Sequence, residues 1–584
     1  MPTILLRHSA IVILTLTLLA CGSSPTPETA ASSRVDDEEQ ISVNTLLQLA
    51  RSSERPLAES YLITAIEMLL EQGQDQAAAE LLMNIEDVES LNENLQVRFA
   101  LVRGRIVLPG ELPTDAIREM IRLNATITDN DNLDLPNQIW QMLYRLTDVQ
   151  LSTMVGNADS YESRGWVELA RQVRNNRASI RSELDAIGRW RTVWAQHSAV
   201  LRLPAQLASL QTLWDQRPRH IALLLPLQDQ VGRAVQEGFL GAYYEAMQLG
   251  VEVPRLSLFD TTPLLNPGAP LDIYGLYDTA VAAGADLIIG PVDKALVRQL
   301  QYIETLPVPT LALNYTDNAL RYSPNLYQFG LAPEDEIRQV AELARRAGFK
   351  NAALISPAGT DYLRLQEAFT NYWRSQGNEV VSRATFNNEE EYADLVKQLL
   401  GIDASEARAA SITRLLPRSD IEFIPRRRQD IDFIFLMANP SQGRQIKPTL
   451  SFYYAGDIPV YSLSAIYDGL ETVNQRANQD LNGIIFTDSP WVLDTQDPLK
   501  QQIDQSLRST QGPLQRLRAL GIDSFRIYSR LGQLARGEVQ SFAGVTGILT
   551  MTEYGAIQRQ SQSAIFVDGR PQPLEPEGLA RIRP

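Results

Sequence analysis

Few side chains in this 584-residue sequence have the types and spacing that enzymatic chemistry requires. Only two histidines, His197 and His220, follow the apolar run near the N-terminus. The sequence has no H-E-x-x-H zinc motif, no G-x-S-x-G nucleophile elbow and no G-x-x-x-x-G-K-[ST] phosphate loop. No lysine follows a serine by three positions, which excludes the S-x-x-K motif of penicillin-recognising serine enzymes. We expect no enzymatic activity, no metal and no cofactor, although paired carboxylates cannot be tested in this way among 70 acidic residues.

The charge balance points away from nucleic acids. The net charge is −17, whereas phosphate binding needs a concentrated basic surface. Hydrophobic residues make up 44% of the chain and charged residues 21%, which is typical of globular domains with sizeable cores. We therefore expect several folded domains and no nucleic-acid partner.

The single cysteine, Cys21, directly follows an apolar run at residues 10–20. Arg7 and His8 precede that run, and this order is typical of a signal peptide, here residues 1–20. The run is shorter than the ~20 apolar residues of a membrane-spanning helix. With one cysteine, no internal disulfide can form.

The residues before the cysteine, Leu18, Leu19 and Ala20, resemble the bacterial lipobox. The resemblance implies cleavage before Cys21, an S-linked diacylglycerol on its sulfur and an acyl chain such as palmitate on its new amine. Gly22 follows where an Asp would suggest retention in the inner membrane, so the resemblance points to the periplasmic side of the outer membrane. The alternative is an ordinary secreted protein with a chance cysteine.

A tether and a helical half are predicted next. Residues 21–40 are rich in Ser, Thr, Pro and Ala and then acidic, and a flexible chain of that length typically reaches about 25 Å. Over residues 41–215 the apolar spacing is helical, for example at Ala58–Gln72. The helices pair with a period of roughly 34–37 residues and resemble tetratricopeptide-like repeats, which implies a curved array used for protein docking or as a rigid spacer.

Residues 219–584 alternate between apolar strands and amphipathic helices, which predicts an α/β domain with two doubly wound lobes. The segments HIALLLPLQDQVGRAVQEGFLGAYYEA and DLIIGPVDK resemble type I periplasmic binding proteins of the branched-chain amino-acid class. That resemblance implies three crossings between the lobes, near Leu331, Ser489 and Ala543, and a ligand cleft between them.

Three polar residues are predicted to line this cleft: Asp293, Asn314 and Asp361. The amino-acid binders place small hydroxyl residues after the third strand, whereas this chain has Gly-Pro-Val-Asp at 290–293. Because Asp293 would repel a ligand carboxylate, a free amino acid is disfavoured as a ligand. The alternative is that these residues cap loops in a fold used as a docking body.

An insertion between the predicted helix ending at Leu400 and the predicted strand at Ile431 is the most basic stretch of an acidic protein. Arginine forks bind carboxylates well, so the insertion is a candidate for partner docking. Pairing with the protein's own acids, or a plain solvated surface, is the alternative. The candidate docking residues are Arg414, Arg418, Arg426, Arg427 and Arg428.

The complete order of segments resembles the LpoA family of outer-membrane lipoproteins, which activate a bifunctional class A penicillin-binding protein. The segments RRRQDIDFIFLMANPSQGRQIKP and DLIIGPVDK carry the resemblance. It implies a non-enzymatic regulator of peptidoglycan synthesis, and hence of cell-wall biogenesis and cell shape, that reaches the synthase across the periplasm. Two alternatives remain, a periplasmic small-ligand receptor and a cell-wall hydrolase.

Overall fold

The computed structural model describes most of the chain after the predicted tether. The described residues are 42–106, 113–126, 134–146, 148–156, 160–177, 179–266, 268, 270, 272–316, 323–387, 391–415, 423–469, 475–494, 496–506, 512–537 and 541–574. The predicted signal peptide, the lipobox residues Leu18, Leu19 and Ala20, and Cys21 lie outside these ranges, as does Arg418.

The first half is helical, and no strand occurs among its described residues before His220. Ser42, Ser160 and Ser179 begin three of its helices by accepting a hydrogen bond from the backbone N–H three residues later. Three tryptophans, Trp140, Trp166 and Trp190, are buried in its core. The helices are α1 (Val43–Ser52), α2 (Leu57–Glu71), α3 (Asp75–Leu82), α4 (Glu93–Arg105), α5 (Pro113–Thr126), α6 (Leu135–Arg145), α7 (Asp148–Gly156), α8 (Tyr161–Asn175), α9 (Ile180–Val193), α10 (Ser198–Leu201), α11 (Ala205–Ala208) and α12 (Leu210–Gln216).

The second half begins with a first lobe. Its first strand is apolar and buried throughout, as expected for a parallel strand covered on both faces. The elements are β1 (His220–Leu225), α13 (Gln230–Gln248), β2 (Arg255–Asp260), α14 (Tyr274–Ala282), β3 (Leu287–Ile289), α15 (Lys294–Gln301), β4 (Thr310–Ala312) and β5 (Leu326–Phe329).

The chain then builds a second lobe. Its elements are α16 (Pro333–Arg346), β6 (Asn351–Pro357), α17 (Thr360–Ser375), β7 (Glu379–Phe386), α18 (Tyr392–Leu400), α19 (Ile402–Leu415), β8 (Phe433–Leu436), α20 (Pro440–Phe452), β9 (Val460–Ser462) and β10 (Ile484–Asp488). It returns to the first lobe through α21 (Pro490–Leu493), α22 (Pro498–Ser506), α23 (Gln515–Ile527), α24 (Leu531–Ala535), β11 (Phe542–Ala543), β12 (Ile548–Met551) and β13 (Ala556–Gln560). The last strands, β14 (Gln562–Val567) and β15 (Arg570–Pro573), belong to the second lobe.

Each lobe is built on one sheet. The strand order is β11-β12-β13-β5-β4-β3-β1-β2 in the first lobe and β15-β14-β10-β9-β8-β6-β7 in the second. The chain passes between the sheets at 330–333, at 488–490 and at Ser561. The third passage lies at Ser561 rather than near Ala543, because β13 pairs in parallel with β5 and so keeps residues 542–560 in the first sheet. The predicted fold class, a helical half followed by a two-lobed α/β half, is confirmed.

Helices α13 and α23 pack so closely that glycine is required at the contact. A Cβ on Gly238 would lie 1.9 Å from the Arg518 carbonyl oxygen, and one on Gly521 would lie 2.0 Å from the Val235 carbonyl oxygen. A larger side chain at either glycine would force the two helix backbones apart. This contact fixes α23 to the first lobe.

The helical half is seated on the same lobe. Arg530 Nη2 donates to Glu183 Oε2 at 2.6 Å, and both side chains are buried. The Ala543 backbone N–H donates to the Tyr144 hydroxyl at 3.0 Å, and Trp214 packs against the cores of both halves. A buried ion pair between the halves favours one relative arrangement, because separating its partners would leave an uncompensated charge.

Candidate functional site

The first predicted cleft residue, Asp293, begins a helix. It directly precedes α15, and its Oδ1 accepts hydrogen bonds from the backbone N–H groups of Ala295 at 2.8 Å and Leu296 at 3.2 Å. Helix N-termini have unpaired N–H groups, and Asp is among the residues that cap them best. The Asp293 carboxylate therefore has a structural role at the end of β3.

The other two cleft residues lie in different lobes. Asn314 follows β4, where its Nδ2 donates to the Val292 carbonyl at 2.9 Å and its Oδ1 accepts from the Tyr315 N–H at 2.8 Å. Asp361 is exposed in the first turn of α17 in the second lobe. Two of the three residues thus hold their own loops, and a ligand role for the set stays a prediction.

A cluster of charged and polar residues lies where the chain passes between the lobes. We call Arg516, Asp488, Glu336, Arg559 and Gln339 the hinge cluster. Arg516, at the start of α23, donates through Nε and Nη2 to the two oxygens of Asp488 at 2.8 and 2.6 Å. Its Nη2 also lies within hydrogen-bond distance of two carbonyl oxygens beyond β9, at 2.8 and 2.9 Å. A first-lobe helix therefore holds the second lobe at the end of β10.

The pair is largely buried, and the attraction between its two charges outweighs the effect of burial on Arg516. Asp488 is 1% exposed and Arg516 is 13% exposed. Burial alone would lower the pKa of Arg516, but the Asp488 carboxylate raises it above its ordinary value. A forked pair of this kind is stronger than a neutral hydrogen bond, and each partner would be costly to leave alone.

The rest of the hinge cluster joins the first and third passages. Arg559 Nε donates to the Gly330 carbonyl at 3.1 Å, and its Nη2 lies 3.7 Å from Glu336 Oε1. Gln339 donates to the Arg559 carbonyl at 2.5 Å and accepts from the Ser561 N–H at 2.8 Å. Burial raises the pKa of the Glu336 carboxyl, and Arg559 opposes that rise. The first and third passages are therefore bonded to each other, and the second is bonded to α23 through Arg516.

Sequence reasoning did not single out the hinge cluster. Asp488 ends a buried apolar strand, and a buried carboxylate implies a cationic partner. That signal marks the acid, but it does not say which arginine pairs with it. Arg516 lies 28 positions later in the chain, beyond two further helices.

The predicted docking arginines divide into two groups. Arg427 pairs with Asp457 at 2.5 Å, and Arg428 pairs with Asp430 at 2.6 Å, where its hydrogen bond lowers the pKa of the Asp430 carboxyl. Arg414 and Arg426 are exposed, and among the described residues neither has an ion-pair partner. Pairing with the protein's own acids thus accounts for Arg427 and Arg428, whereas for Arg414 and Arg426 docking stays a prediction beside the alternative of a plain solvated surface.

Neither histidine considered above is free for catalysis. His197 Nε2 lies 2.8 Å from the Glu162 carbonyl oxygen, and its Nδ1 accepts from the Ala199 N–H at 3.1 Å. His220 is buried between the Gly284 carbonyl and the Ser257 hydroxyl, at 2.9 and 2.8 Å. Within the described ranges, no three His, Cys, Asp or Glu residues gather as a metal site. None of the described helices is long and apolar enough to cross a membrane.

Comparison with known proteins identifies the family. The model of the LppC lipoprotein family matches residues 36–569. The penicillin-binding protein activator LpoA of Vibrio vulnificus is 25% identical over 94% of this chain and 96% of its own length. The activator of the same name from Aliivibrio fischeri is 25% identical over 89% of this chain and 84% of its own.

Solved structures give a further similarity. Full-length LpoA from Haemophilus influenzae is 19% identical, with 91% of this chain and 98% of that chain covered and a TM-score of 0.48. The resemblance to the LpoA family that the sequence indicated is confirmed by the curated relatives. Because the family model spans most of the sequence, the chain belongs to the LppC lipoprotein family.

Proposed function

We propose that this protein is an outer-membrane lipoprotein that binds and activates a bifunctional class A penicillin-binding protein across the periplasm. The observation that carries the proposal is the match over 94% of the chain to a relative named as a penicillin-binding protein activator. The protein would do no chemistry itself. It would regulate peptidoglycan synthesis by binding the active conformation of the synthase more tightly than the inactive one.

The geometry supports a docking body over a closing ligand trap. A trap must change the angle between its lobes, whereas here the first and third passages are bonded to each other and the second is held by Arg516 of α23. The side-chain polar groups of Asp293 and Asn314 are already hydrogen-bonded to nearby backbone groups of the first lobe. A body with fixed lobes can present one surface to a partner without the entropic cost of ordering it on binding.

The anchor is part of the proposal. We propose that Cys21 is acylated and carries a diacylglycerol, because the residues before it resemble a lipobox. Three acyl chains hold a protein far more firmly than one, at ~0.8 kcal/mol per buried CH₂. Since the tether typically reaches only about 25 Å, the folded halves must span the remaining distance to the synthase. Cys21→Ser should leave the protein unlabelled by radioactive palmitate, whereas the unaltered chain should be labelled.

Direct binding is the decisive experiment. The purified protein is mixed with purified class A synthases, and capture is measured beside a glycan-polymerisation and transpeptidation assay. We expect capture at micromolar protein and a higher output of both reactions. A chain that captures no class A synthase at that concentration contradicts the proposal.

The receptor and hydrolase alternatives are tested with the same preparation. A thermal-shift screen against peptidoglycan fragments and amino acids should give no strong stabiliser. Purified protein should release no fragments from peptidoglycan. Replacing Asp293 by Ala should lower the free energy of unfolding by about 1 kcal/mol through loss of the helix cap, and Asp293→Asn should restore most of it. A ligand whose binding depends on the Asp293 charge would favour the receptor.

A further inference from the structure

We infer that an arm on the second lobe, α19 together with residues 423–428, is the surface that docks an acidic and apolar face of the synthase. This inference rests on the proposed function and names the surface that it would use. The surface is defined by four exposed apolar side chains and three exposed arginines. The apolar residues are Ile412, Leu415, Phe423 and Ile424, and the arginines are Arg408, Arg414 and Arg426.

The helix is attached at one end only. Ile402 and Ser405 are its buried residues, and from Ala407 to Leu415 no described side chain is buried. A helix normally buries one apolar face, so two turns without one are unusual for a helix that serves only its own fold. The far part of α19 therefore stands out from the second lobe.

Residues 423–428 return beside the base of that helix. The Arg428 N–H donates to the Leu400 carbonyl at 2.8 Å, and the Arg426 N–H donates to the Ser405 hydroxyl at 3.4 Å. The Arg427–Asp457 ion pair then holds the returning segment against the loop after α20. These contacts place the segment while leaving its apolar side chains uncovered.

Several apolar side chains of the arm are strongly exposed. Ile412 is 50% exposed, Leu415 is 81% exposed and Ile424 is 69% exposed. Single exposed hydrophobic residues are common, whereas a group of them on one projecting element is typical of an interaction site. Phe452, the last residue of α20 before the loop that Arg427 contacts, is also 76% exposed.

Charge indicates what kind of partner fits. The protein carries a net charge of −17, yet Arg408, Arg414 and Arg426 are exposed on the arm, and no described acid pairs with them. Arginine forks recognise carboxylates, so the complementary face is acidic around an apolar centre. Two arms facing each other in a two-fold dimer would bring the exposed arginines of both copies together, and this like-charge contact disfavours a second copy as the occupant. We therefore assign the arm to the synthase.

The test compares two matched double variants of the full mature chain in detergent. The first is Ile412→Asp with Leu415→Asp. The control is Met247→Asp with Leu249→Asp at the end of α13 on the first lobe, where the exposed fractions are 46% and 60%. We expect the arm variant to raise the Kd for the synthase at least tenfold, as loss of an apolar hot spot does, and the control to change it less than twofold.

A charge-reversed pair provides a second comparison. Arg426→Glu should weaken binding more than Arg233→Glu, which changes an exposed arginine on α13. Amide hydrogen exchange of residues 402–415 should slow in the complex, and that measurement needs no substitution. Unchanged exchange there, or equal effects of the arm and control variants, would overturn the assignment while leaving the proposed function intact.

The remaining outcomes are also decisive. If the unaltered chain binds no class A synthase, both the proposed function and the docking surface fail. If sedimentation shows that the unaltered chain self-associates and the arm variant does not, while both bind the synthase equally, the arm is an interface between copies and the assignment is wrong.

Discussion

The hinge cluster and the arm use the same residue type for opposite purposes. Arg516 is nearly buried and reaches two carboxylate oxygens and two carbonyl oxygens. Arg426 is exposed, and no described acid pairs with it. A buried charge must be paired, whereas an exposed one is stabilised by water. An arginine's role in this protein therefore depends on its burial and not on its neighbours in sequence.

The carboxylates of the two regions differ in the same way. Burial raises the pKa of Glu336 in the hinge cluster, whereas the hydrogen bond from Arg428 lowers the pKa of Asp430 beside the arm. The first carboxyl is held in an environment that disfavours its charge, and the second in one that favours it. Stability should therefore respond to pH in opposite directions at the two sites.

The largest expected effect is the loss of the buried arginine. Arg516→Ala leaves Asp488 buried without its partner, which should lower the free energy of unfolding by about 3–5 kcal/mol. The matched change Arg427→Ala removes an ion pair whose acid is 57% exposed, and it should cost at most about 1 kcal/mol. Urea denaturation measures both costs. Equal costs would mean that burial of the acid does not distinguish the hinge ion pair from the ion pair of the arm.

Glu336, the buried acid, should make the stability of the fold decrease as pH rises. Because the folded pKa of Glu336 is raised, its contribution is fully present below the unfolded value and is lost as pH rises through the folded value. Glu336→Gln stays neutral, so the stability of the unaltered chain relative to this variant should fall between pH 4 and pH 7. Denaturation at both pH values measures the difference. A rise instead would mean that pairing with Arg559 outweighs burial.

Asp430, the exposed acid, should make the stability of the fold decrease as pH falls, and by a smaller amount. The pKa of Asp430 is lowered, so its contribution is present above the unfolded value and is lost as pH falls through the folded value. Asp430→Asn should cost up to about 1 kcal/mol at pH 7, and the cost should shrink toward pH 3. High salt should also reduce the cost at pH 7, because the pair is open to solvent.

The smallest effect on stability is expected at the arm. Arg426→Ala should change the free energy of unfolding by less than about 0.5 kcal/mol, since it removes no described contact of its guanidinium. The same change should weaken synthase binding up to about fivefold, the usual range of one exposed ion pair. Arg428→Ala, whose guanidinium is already paired with Asp430, should weaken binding less. Titration calorimetry with the synthase separates the two.

Much of the fold follows from local pattern. The apolar run at 220–225 is a buried strand in the structure, and helical spacing in the first half corresponds to helices. The passages at 330–333 and 488–490 lie where the resemblance to binding proteins implied them. The third passage was misplaced, because whether β13 joins β5 is decided by contact between segments more than 200 positions apart.

In the candidate site too, local pattern predicted the positions of residues but not their contacts. The sequence marked Asp293 and Asn314 as polar residues at strand ends, which is where the structure has them. The sequence could not show that the Asp293 carboxylate is hydrogen-bonded to the start of α15, or that the Asn314 amide is hydrogen-bonded to the loop after β3. Nor could the sequence show which of the three consecutive arginines at 426–428 pair with acids of the same chain. Asp457, the partner of Arg427, lies 30 positions away.

The element types, the family and the candidate lipid anchor at Cys21 can be predicted from the sequence, since they depend on periodicity and on short contiguous motifs. Which charges are buried together and which are exposed to water depends on contacts between segments that are distant in the chain. Arg516 reaches Asp488 because α23 packs on α13 while β10 ends beside it, and no local pattern encodes that meeting. The difference between a buried hinge arginine and an exposed arginine of the arm is therefore a property of the folded chain.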